Sequence, residues 1–230
     1  MPAHADKVPN AFISINVIKN RKKFFPVNDW VLDSGAFTTI NKYGFYPHSV
    51  QDYAKDIKKW HKNGNMLAAV AQDYMCEPFV LAKTGKTIKE HQKLTLRRYL
   101  SLCNCDVGSA YILPVLQGYS VEDYLEHLKM YGPFLMENAW IGLGSVCKRN
   151  GKPDAILSIL TEIKKRRPDL NIHGFGLKTT SIAVKEIRKL LYSADSMAWS
   201  FAARYSGRDA NSPLEARAFY DKIQELCKEN

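Results

Sequence analysis

Three aspartates follow or interrupt apolar runs, where their carboxylates could do chemistry. Asp33 ends the run WVLD, Asp73 ends MLAAVAQD, and Asp195 follows SA. A carboxylate in such a place loses solvation unless its charge is used. Several acids at one site suit glycosidic chemistry, in which one attacks the anomeric carbon and another exchanges a proton with the leaving base. For each aspartate taken alone, the alternative is a helix N-cap or a turn residue after a strand.

Glycines stand beside these acids and at the ends of other apolar segments. They occur in the segments DSG, QG, GLGS and HGFG. A glycine lets the backbone approach a planar ligand closely, and its N–H group can bind a carbonyl oxygen. GLGSV and HGFG could instead cradle a phosphate, although neither matches a P-loop or the full dinucleotide fingerprint.

Short apolar segments alternate with amphipathic ones along the whole chain, which predicts alternating strands and helices. Seven strands are predicted, at residues 11–16, 30–33, 66–73, 110–116, 139–144, 171–176 and 194–201. Helical spacing is clearest at Val50, Tyr53, Ile57 and Trp60, and a second apolar face covers residues 155–163. Residues 182–191 form a third such face, a capping box starts the helix after Ser120, and residues 216–226 suggest a closing helix.

Strands that alternate with helices of this length imply parallel βαβ units. Many of the predicted strands end in a polar residue or a glycine. In a barrel these ends converge on one mouth, where active sites are built, whereas an open doubly wound sheet spreads them along an edge. The chain is therefore predicted to be α/β, with residues 1–230 forming a single TIM-like (β/α) barrel domain. Because seven strands are counted, its closure is expected to be irregular.

The composition narrows the class of protein and its partners. The formal charge of +10 favours a polyanionic partner, although many basic proteins bind no nucleic acid. The five cysteines show no metal-binding spacing and are predicted to be reduced, buried thiols. Neither a membrane-spanning apolar run nor a signal-peptide core is present, so a soluble, cytoplasmic protein without a membrane partner is expected. His91 and His127 fall in helical segments and are expected at the surface.

Six motifs, taken in order, resemble the tRNA-guanine transglycosylase (queuine and archaeosine) superfamily. They are VLDSGAF, VAQD, LQGY, GLGSV, HGFG and ADSMAWSFAAR, and together they extend from Val31 to Arg208. DSGAF, close to the family's DSGGFQ or DSGGYQ, is the most specific of them. The resemblance implies a (β/α)8-type barrel and base exchange through a covalent enzyme–sugar intermediate.

The resemblance also assigns residues. It places Asp195 on the family's nucleophile and Asp33 on its acid/base aspartate. The residues that match base-holding positions are Ser34 beside the acid, Phe37 on one ring face, Asp73 at the amide and amino edge, Gln117 and Gly118 at the carbonyl side, Gly142, Leu143 and Gly144 in the loop that completes recognition, and His173 on the other ring face.

The chain departs from the tRNA enzymes in three ways. Their structural zinc site, a CxCxxC cluster with a histidine after the nucleophile, has no counterpart here, because only Cys227 and no histidine follow Asp195. DSGA also replaces DSGG, and Ala194 precedes the nucleophile position. No metal and no other cofactor is therefore expected. A compact, zinc-free chain resembles the phage and bacterial enzymes that insert 7-deazaguanines into DNA (DpdA-type), which implies the host cytoplasm if the protein is phage-encoded.

This resemblance implies a DNA-guanine transglycosylase, a pentosyltransferase that exchanges guanine in DNA for a 7-deazaguanine such as 7-cyano-7-deazaguanine. Its partners would be DNA and the free base. Arg204 and Arg208, which follow the nucleophile position, are expected to contact nucleic acid. Basic clusters at residues 19–23 and 164–167 are further candidates, although the second ends a helix, where cations are stabilised by the dipole in any case.

Three alternatives stay open from the residues. The first is a tRNA-guanine transglycosylase with the same mechanism. The second is a non-catalytic barrel that binds nucleic acid or a purine, which loss of Asp33 or Asp195 would have favoured, but both are present. The third, a metal-dependent barrel hydrolase, is disfavoured because no cluster of histidines occurs at the predicted strand ends.

Overall fold

A computed structural model describes residues 2–149 and 151–228, in which parallel strands alternate with helices as the sequence predicts. The strands are β1 Asn10–Ser14, β2 Asp29–Asp33, β3 Asn65–Val70, β4 Ile112–Leu113, β5 Val115–Leu116, β6 Trp140–Leu143, β7 Asn171–Gly174 and β8 Ser193–Ala194. The α-helices are α1 Ile15–Ile18, α2 Ala36–Tyr43, α3 Val50–Trp60, α4 Pro78–Thr84, α5 Ile88–Cys103, α6 Val121–Tyr131, α7 Pro153–Arg166, α8 Thr179–Ile182, α9 Lys185–Leu190, α10 Ala198–Tyr205 and α11 Pro213–Lys228. Short 3-10 segments cover Pro2–Lys7, Gly132–Phe134 and Cys147–Arg149.

The strands pair in chain order within two four-stranded parallel sheets, β1-β2-β3-β4 and β5-β6-β7-β8. One residue, Pro114, separates the sheets. Proline has no N–H to donate to a ladder, so the strand predicted over 110–116 is divided into β4 and β5. This division gives eight strands where the sequence predicts seven. Closure of the eight into a barrel stays a prediction.

The last predicted strand, 194–201, is wrong over most of its length. The strand β8 stops at Ala194, and Ala198 begins the helix α10. The run MAWSFAA is apolar and rich in alanine, and an apolar run of this length does not distinguish a strand from a buried helix. The face predicted over 182–191 is likewise divided between α8 and α9. The capping box after Ser120 is confirmed, since its hydroxyl accepts from Asp123 N at 3.2 Å.

Hydrophobic side chains fill both the outer layers and the interior. The predicted face of α3 is confirmed, because its four apolar residues are buried against the first sheet. The helices α6 and α7 cover the second sheet in the same way. A separate cluster draws residues from both sheets: Val31, Ala68, Val70, Leu113 and Val115, with Phe12, Trp140 and Phe175 packed against it.

Two predictions about individual residue types need correction. His91 and His127, expected at the surface, are both fully buried. His127 accepts a hydrogen bond from Gln117 N at 2.8 Å, and burial lowers its pKa to about 3. Of the cysteines, Cys76 is buried, whereas Cys103 and Cys227 are exposed, so the buried-thiol prediction is wrong for those two. No helix in the described ranges is both long and apolar enough to cross a membrane.

Candidate active site

Asp33 is the last residue of β2, so it lies at the edge of the parallel sheet where the strands have their C-terminal ends. It pairs in register with Ser14, whose hydroxyl hydrogen-bonds the carboxylate together with the backbone N–H groups of Ser34 and Gly35. Burial, followed by the charge of Asp195, outweighs these bonds and raises the pKa of Asp33 to about 6. The two acids, 162 positions apart in the chain (33 and 195), are therefore electrostatic neighbours.

The turn after Asp33 depends on a glycine. Gly35 has φ +71, and a Cβ there would lie 2.2 Å from Asn16 Nδ2. The Asn16 amide donates to Gly35 O at 3.2 Å and so ties the turn to the end of β1. Directly after it, α2 begins at Ala36 and carries Phe37. Ser34, beside the acid, is buried at 2% exposure.

Asp195 follows β8 and is held by two donors on the same oxygen. Its Oδ1 lies 2.9 Å from Gly176 N and 3.3 Å from His173 Nε2. The tautomer of His173 follows from its contact with the carboxylate. An ionised carboxylate only accepts, so His173 Nε2 carries the hydrogen of that contact. In a neutral ring Nδ1 then accepts from Ser193 Oγ at 2.9 Å, and Ser193 Oγ accepts from Trp140 Nε1 at 3.1 Å.

His173 itself is 4% exposed and packed among aromatic rings. Its ring stacks on Phe12 of β1 at 5.4 Å and 10°, and Phe175 meets it edge-on at 4.9 Å. What the structure shows is thus an imidazole that orients Asp195. Its expected contact with the second face of a base stays a prediction.

Asp73 lies three residues beyond β3, in a segment that is buried from Ala71 to Glu77 without regular structure. Its carboxylate accepts a hydrogen bond from Gln117 Nε2, the first residue after β5. Burial raises the pKa of Asp73 to about 7, against the opposing effect of the Gln117 bond. Neighbouring side chains satisfy the backbone of this segment: Tyr46 bonds Asp73 O, Thr95 bonds Tyr74 N, His91 bonds Met75 O and Ser145 bonds Cys76 N.

Sequence reasoning assigned no role to Glu77 or Ser145, which extend the Asp73–Gln117 pair. Ser145 Oγ lies 2.6 Å from Gln117 Oε1 and 2.8 Å from Glu77 Oε2. Ser145 adopts φ +55, a left-handed conformation that is rare for a residue with a Cβ and that clusters at functional sites. The motif GLGSV contains Ser145, but nothing in the spacing of CEP distinguishes Glu77 from a surface acid.

The glycines of the site make room for side chains. A Cβ on Gly144 would lie 2.2 Å from Gln117 Nε2, and one on Gly142 would lie 2.4 Å from the Phe175 ring. Gly118 is equally confined, 2.8 Å from Asp123 Cβ. The N–H of Gly144 is already bonded to Leu116 O at 2.9 Å, and Leu143 between the glycines is fully buried. Gly142 and Leu143 are the last two residues of β6, so of the predicted loop only Gly144 follows the strand. Direct contact of these three residues with a base stays a prediction.

Beside this network a cleft of about 500 Å³ opens to solvent. Phe37 lies on one wall with 47% of its surface exposed, and its ring meets Phe79 edge-on at 6.4 Å. Lys148 Nζ lies 5.6 Å from the centre of the Phe37 ring. The lining is completed by Asn41, Glu77, Pro78, Tyr119, Ser145 and Arg149. An aromatic wall, a buried polar floor and a cationic rim are suited to a flat heterocycle attached to a phosphodiester.

The arginines predicted to contact nucleic acid differ in their surroundings. Arg204, on α10, is exposed with its guanidinium 5.8 Å from the Phe201 ring. Arg208 is paired with Glu215 at 2.5 Å. In the cluster at 164–167, Lys164 donates to Leu170 O at 2.6 Å and Arg167 pairs with Asp169 at 2.7 Å, which supports the helix-end role of that cluster.

In the described ranges, no group of three or more His, Cys, Asp or Glu side chains is arranged to hold a metal ion. The search of curated proteins gave no match. A family model described as DeoxyPurine in DNA protein A (DpdA) matches residues 7–217. That span contains both acids, the Asp73–Gln117 pair and the cleft beside them. The chain therefore belongs to the DpdA family, which takes part in deoxypurine (7-deazaguanine) modification of DNA and has DNA as its substrate.

Proposed function

We propose that the protein is a DNA-guanine transglycosylase that replaces guanine in DNA by a 7-deazaguanine through a covalent bond between Asp195 and deoxyribose. One observation carries this proposal. Asp33 and Asp195 are far apart in the chain, yet the charge of Asp195 is, after burial, the second cause that raises the pKa of Asp33 to about 6. Two neighbouring acids with different environments are the arrangement that glycosidic chemistry uses.

In the first half-reaction a carboxylate oxygen of Asp195 attacks C1′ of the target nucleotide, and the C1′–N9 bond breaks. Its electron pair goes to the leaving guanine, which takes a proton at N9 from Asp33. We assign the attack to Oδ2, because Oδ1 is held by Gly176 N and His173 Nε2. In the second half-reaction the incoming base gives its N9 proton to Asp33. Its nitrogen then attacks C1′ and releases Asp195, so the cycle closes without a net change.

The environment of Asp33 suits both roles. An acid with a pKa of about 6 gives and takes protons readily near neutral pH, and such catalysis contributes roughly a hundredfold to ten-thousandfold. The base would be held by Asp73 at its N–H edge and by Gln117 at its carbonyl, with Phe37 against one face. Stacking of roughly 1–3 kcal/mol per base offsets the few kcal/mol needed to take a nucleotide out of the duplex.

The mechanism requires the ends of β2 and β8 to face one cavity, which a closed barrel provides. We infer that the chain forms a single barrel domain with two short, irregularly joined sheets. Support comes from Phe12 of β1, which stacks on His173 of β7, the strand next to β8. The interior cluster that contains side chains of both sheets supports the same arrangement.

The decisive experiment is to trap the covalent intermediate. We expect the protein, incubated with duplex DNA and no free base, to form a denaturation-resistant adduct that maps to Asp195. In a parallel assay with labelled 7-cyano-7-deazaguanine, label should enter DNA. Label that enters tRNA and not DNA would instead support the tRNA-modifying alternative.

Asp195→Asn tests the same step with little change in shape. We expect it to abolish both adduct and exchange while DNA affinity stays within about twofold, because only the attacking oxygen is lost. Asp209→Asn, on the exposed turn after α10, is the matched control and should leave all three measurements unchanged. An Asp195→Asn variant that still exchanges bases would refute the assignment, and a wild type that only binds DNA would support the non-catalytic alternative.

A further inference from the structure

Four buried polar side chains form a continuous network, Asp73, Gln117, Ser145 and Glu77, and the last two of them line the cleft. Three contacts join them, at Asp73–Gln117, Gln117–Ser145 and Ser145–Glu77. All four residues are at most 6% exposed. Buried polar groups need a hydrogen in every such contact, so the hydrogens of the network can be counted.

The serine cannot supply both of its neighbours. Ser145 Oγ has one hydrogen, and it already accepts from Cys76 N at 2.8 Å. If that hydrogen goes to Gln117 Oε1, the contact with Glu77 is bonded only when Glu77 is protonated. Gln117 then turns its NH₂ group to an ionised Asp73.

The amide can also be turned over, since its oxygen and nitrogen are distinguished only by their partners. Gln117 Nε2 then donates to Ser145, and Ser145 donates to an ionised Glu77. In that arrangement the contact between Asp73 and the amide oxygen is bonded only when Asp73 is protonated. In either arrangement every contact is bonded only when the network holds one proton, on Glu77 or on Asp73.

Only the first arrangement matches a guanine-type base. Its N1–H and amino hydrogens need an ionised carboxylate, and its carbonyl oxygen needs an N–H donor. An ionised Asp73 and the NH₂ group of Gln117 offer this pair together, whereas the second arrangement offers neither in the form required.

We propose that Glu77 is a positioning residue: protonated, it acts through Ser145 to turn the Gln117 amide and leave Asp73 ionised, so that the site accepts a guanine-type base. Binding of the base thus moves the shared proton from Asp73 to Glu77. This inference rests on the proposed function for the identity of the base. It adds a residue that sets specificity through its neighbours Ser145 and Gln117.

Among these four residues Asp73 has its pKa raised close to neutrality, to about 7, by burial and then by the charges of Asp33 and Glu77. Burial raises the pKa of the Cys76 thiol, the Cys147 thiol and the Tyr124 phenol well above the range from pH 6 to 8, so they stay neutral there. The charged and titratable groups packed around Glu77 are Asp73 and Cys76 after β3, Asp123 and Tyr124 on α6, and Cys147, Lys148 and Arg149 after β6.

The test measures proton uptake when the free base binds, without DNA. Calorimetric titration with 7-cyano-7-deazaguanine, in two buffers of different ionisation enthalpy, reports how many protons the complex gains. At pH 6 the wild type already holds the shared proton, so no uptake is expected at Asp73 and Glu77; any uptake at Asp33, whose pKa is about 6, is common to wild type and Glu77→Gln and cancels in their difference. At pH 8 Asp73 has lost the shared proton, and Glu77 must gain one, so uptake of about one proton and a loss of affinity of about tenfold are expected.

Glu77→Gln supplies a permanent donor to Ser145. At pH 8 it should take up no proton, and its affinity should match or exceed that of the wild type by up to about tenfold. Ser145→Ala breaks the connection and should weaken binding by about tenfold at pH 6. Glu126→Gln, an exposed acid on α6, is the matched control. Circular dichroism and the melting temperature show that each variant is folded.

Two results would overturn the proposal: a wild type that gains no proton at pH 8, or a Glu77→Gln variant that gains as many as the wild type. Because these titrations need neither DNA nor exchange, they separate the two proposals. Normal base binding with this proton pattern but no exchange would refute the proposed function alone. A wild type that binds no base at all would refute both.

Discussion

Replacing Asp33 by asparagine removes a charge that the fold holds in an unfavourable place. The folded-state pKa of about 6 lies above the ordinary value of 3.8, mainly through burial and the nearby charge of Asp195. A raised pKa means that the folded state binds the proton more tightly than the unfolded state. The contribution of Asp33 is therefore most favourable below pH 4 and is lost as the pH rises through about 6.

The size of this loss follows from the shift. At about 1.4 kcal/mol per pH unit, a rise from 3.8 to about 6 corresponds to about 3 kcal/mol above pH 6. Asparagine can still accept from the N–H groups of Ser34 and Gly35 but carries no charge. We expect Asp33→Asn to gain about 2–3 kcal/mol of stability relative to wild type between pH 4 and pH 8, although its exchange activity is lost.

Urea denaturation of both proteins at pH 4, 6 and 8 measures this difference, in which the titrating groups that are not coupled to Asp33 cancel; Asp73 and Asp195 are coupled to it and contribute to the measured gain. At pH 8 the gain corresponds to a melting temperature about 5–10 °C higher. Asp29→Asn, at the opposite end of β2, is the matched control and should show no such trend. Asp195→Asn should show a smaller gain in stability. It removes only the charge of Asp195, which is the second cause, after burial, of the raised pKa of Asp33. A difference between Asp33→Asn and wild type that does not change with pH would refute the reasoning.

Three further predictions concern the base and the DNA. Gly144→Ala places a methyl group 2.2 Å from Gln117 Nε2, so the KM for the free base should rise at least tenfold while the melting temperature falls by a few degrees, as steady-state kinetics and thermal denaturation would show. Phe37→Leu should weaken base binding by roughly 1–3 kcal/mol in calorimetry with little change in stability, because the ring is half exposed. Arg204→Ala should weaken DNA binding and lower the salt dependence of binding by about one phosphate contact. Arg208→Ala should change DNA binding less, because Arg208 is paired with Glu215. A larger effect of Arg208→Ala than of Arg204→Ala would contradict this prediction.

The sequence predicts the alternation of strands and helices because each element is amphipathic or apolar by itself. Thus the face of α3 and the capping box of α6 are correct at the residue level. The prediction from sequence fails where one hydrophobic pattern is compatible with both a strand and a helix. The apolar segment after Asp195 fits a strand as well as a helix, and tertiary context makes it α10. Pro114 divides a strand that hydrophobicity alone makes continuous.

The residues of the candidate site likewise fall into those that the sequence predicts and those that it does not. Asp33, Asp73 and Asp195 are visible in the sequence because each carries a charge next to an apolar run, which is unusual enough to need a reason. Glu77 follows a cysteine in a segment without periodicity, and its burial depends on Ser145, 68 residues further along. A contact between side chains that distant, made through a left-handed serine, has no local signature. His127 was misplaced for the same reason, since its partner is the backbone of Gln117.

The two acids at the strand ends also explain how one residue type can do two tasks. Neighbouring carboxylates resist being ionised together, so the pair favours holding one proton. Burial directs that proton to Asp33, whose pKa is raised, while Asp195 is oriented by Gly176 N and by a histidine whose own proton faces it. Below about pH 6 the site thus holds a protonated Asp33 beside an oriented Asp195, the proposed nucleophile, before any substrate arrives. Removing either acid would stop the proposed reaction, but the loss of Asp33 should stabilise the protein more than the loss of Asp195 does.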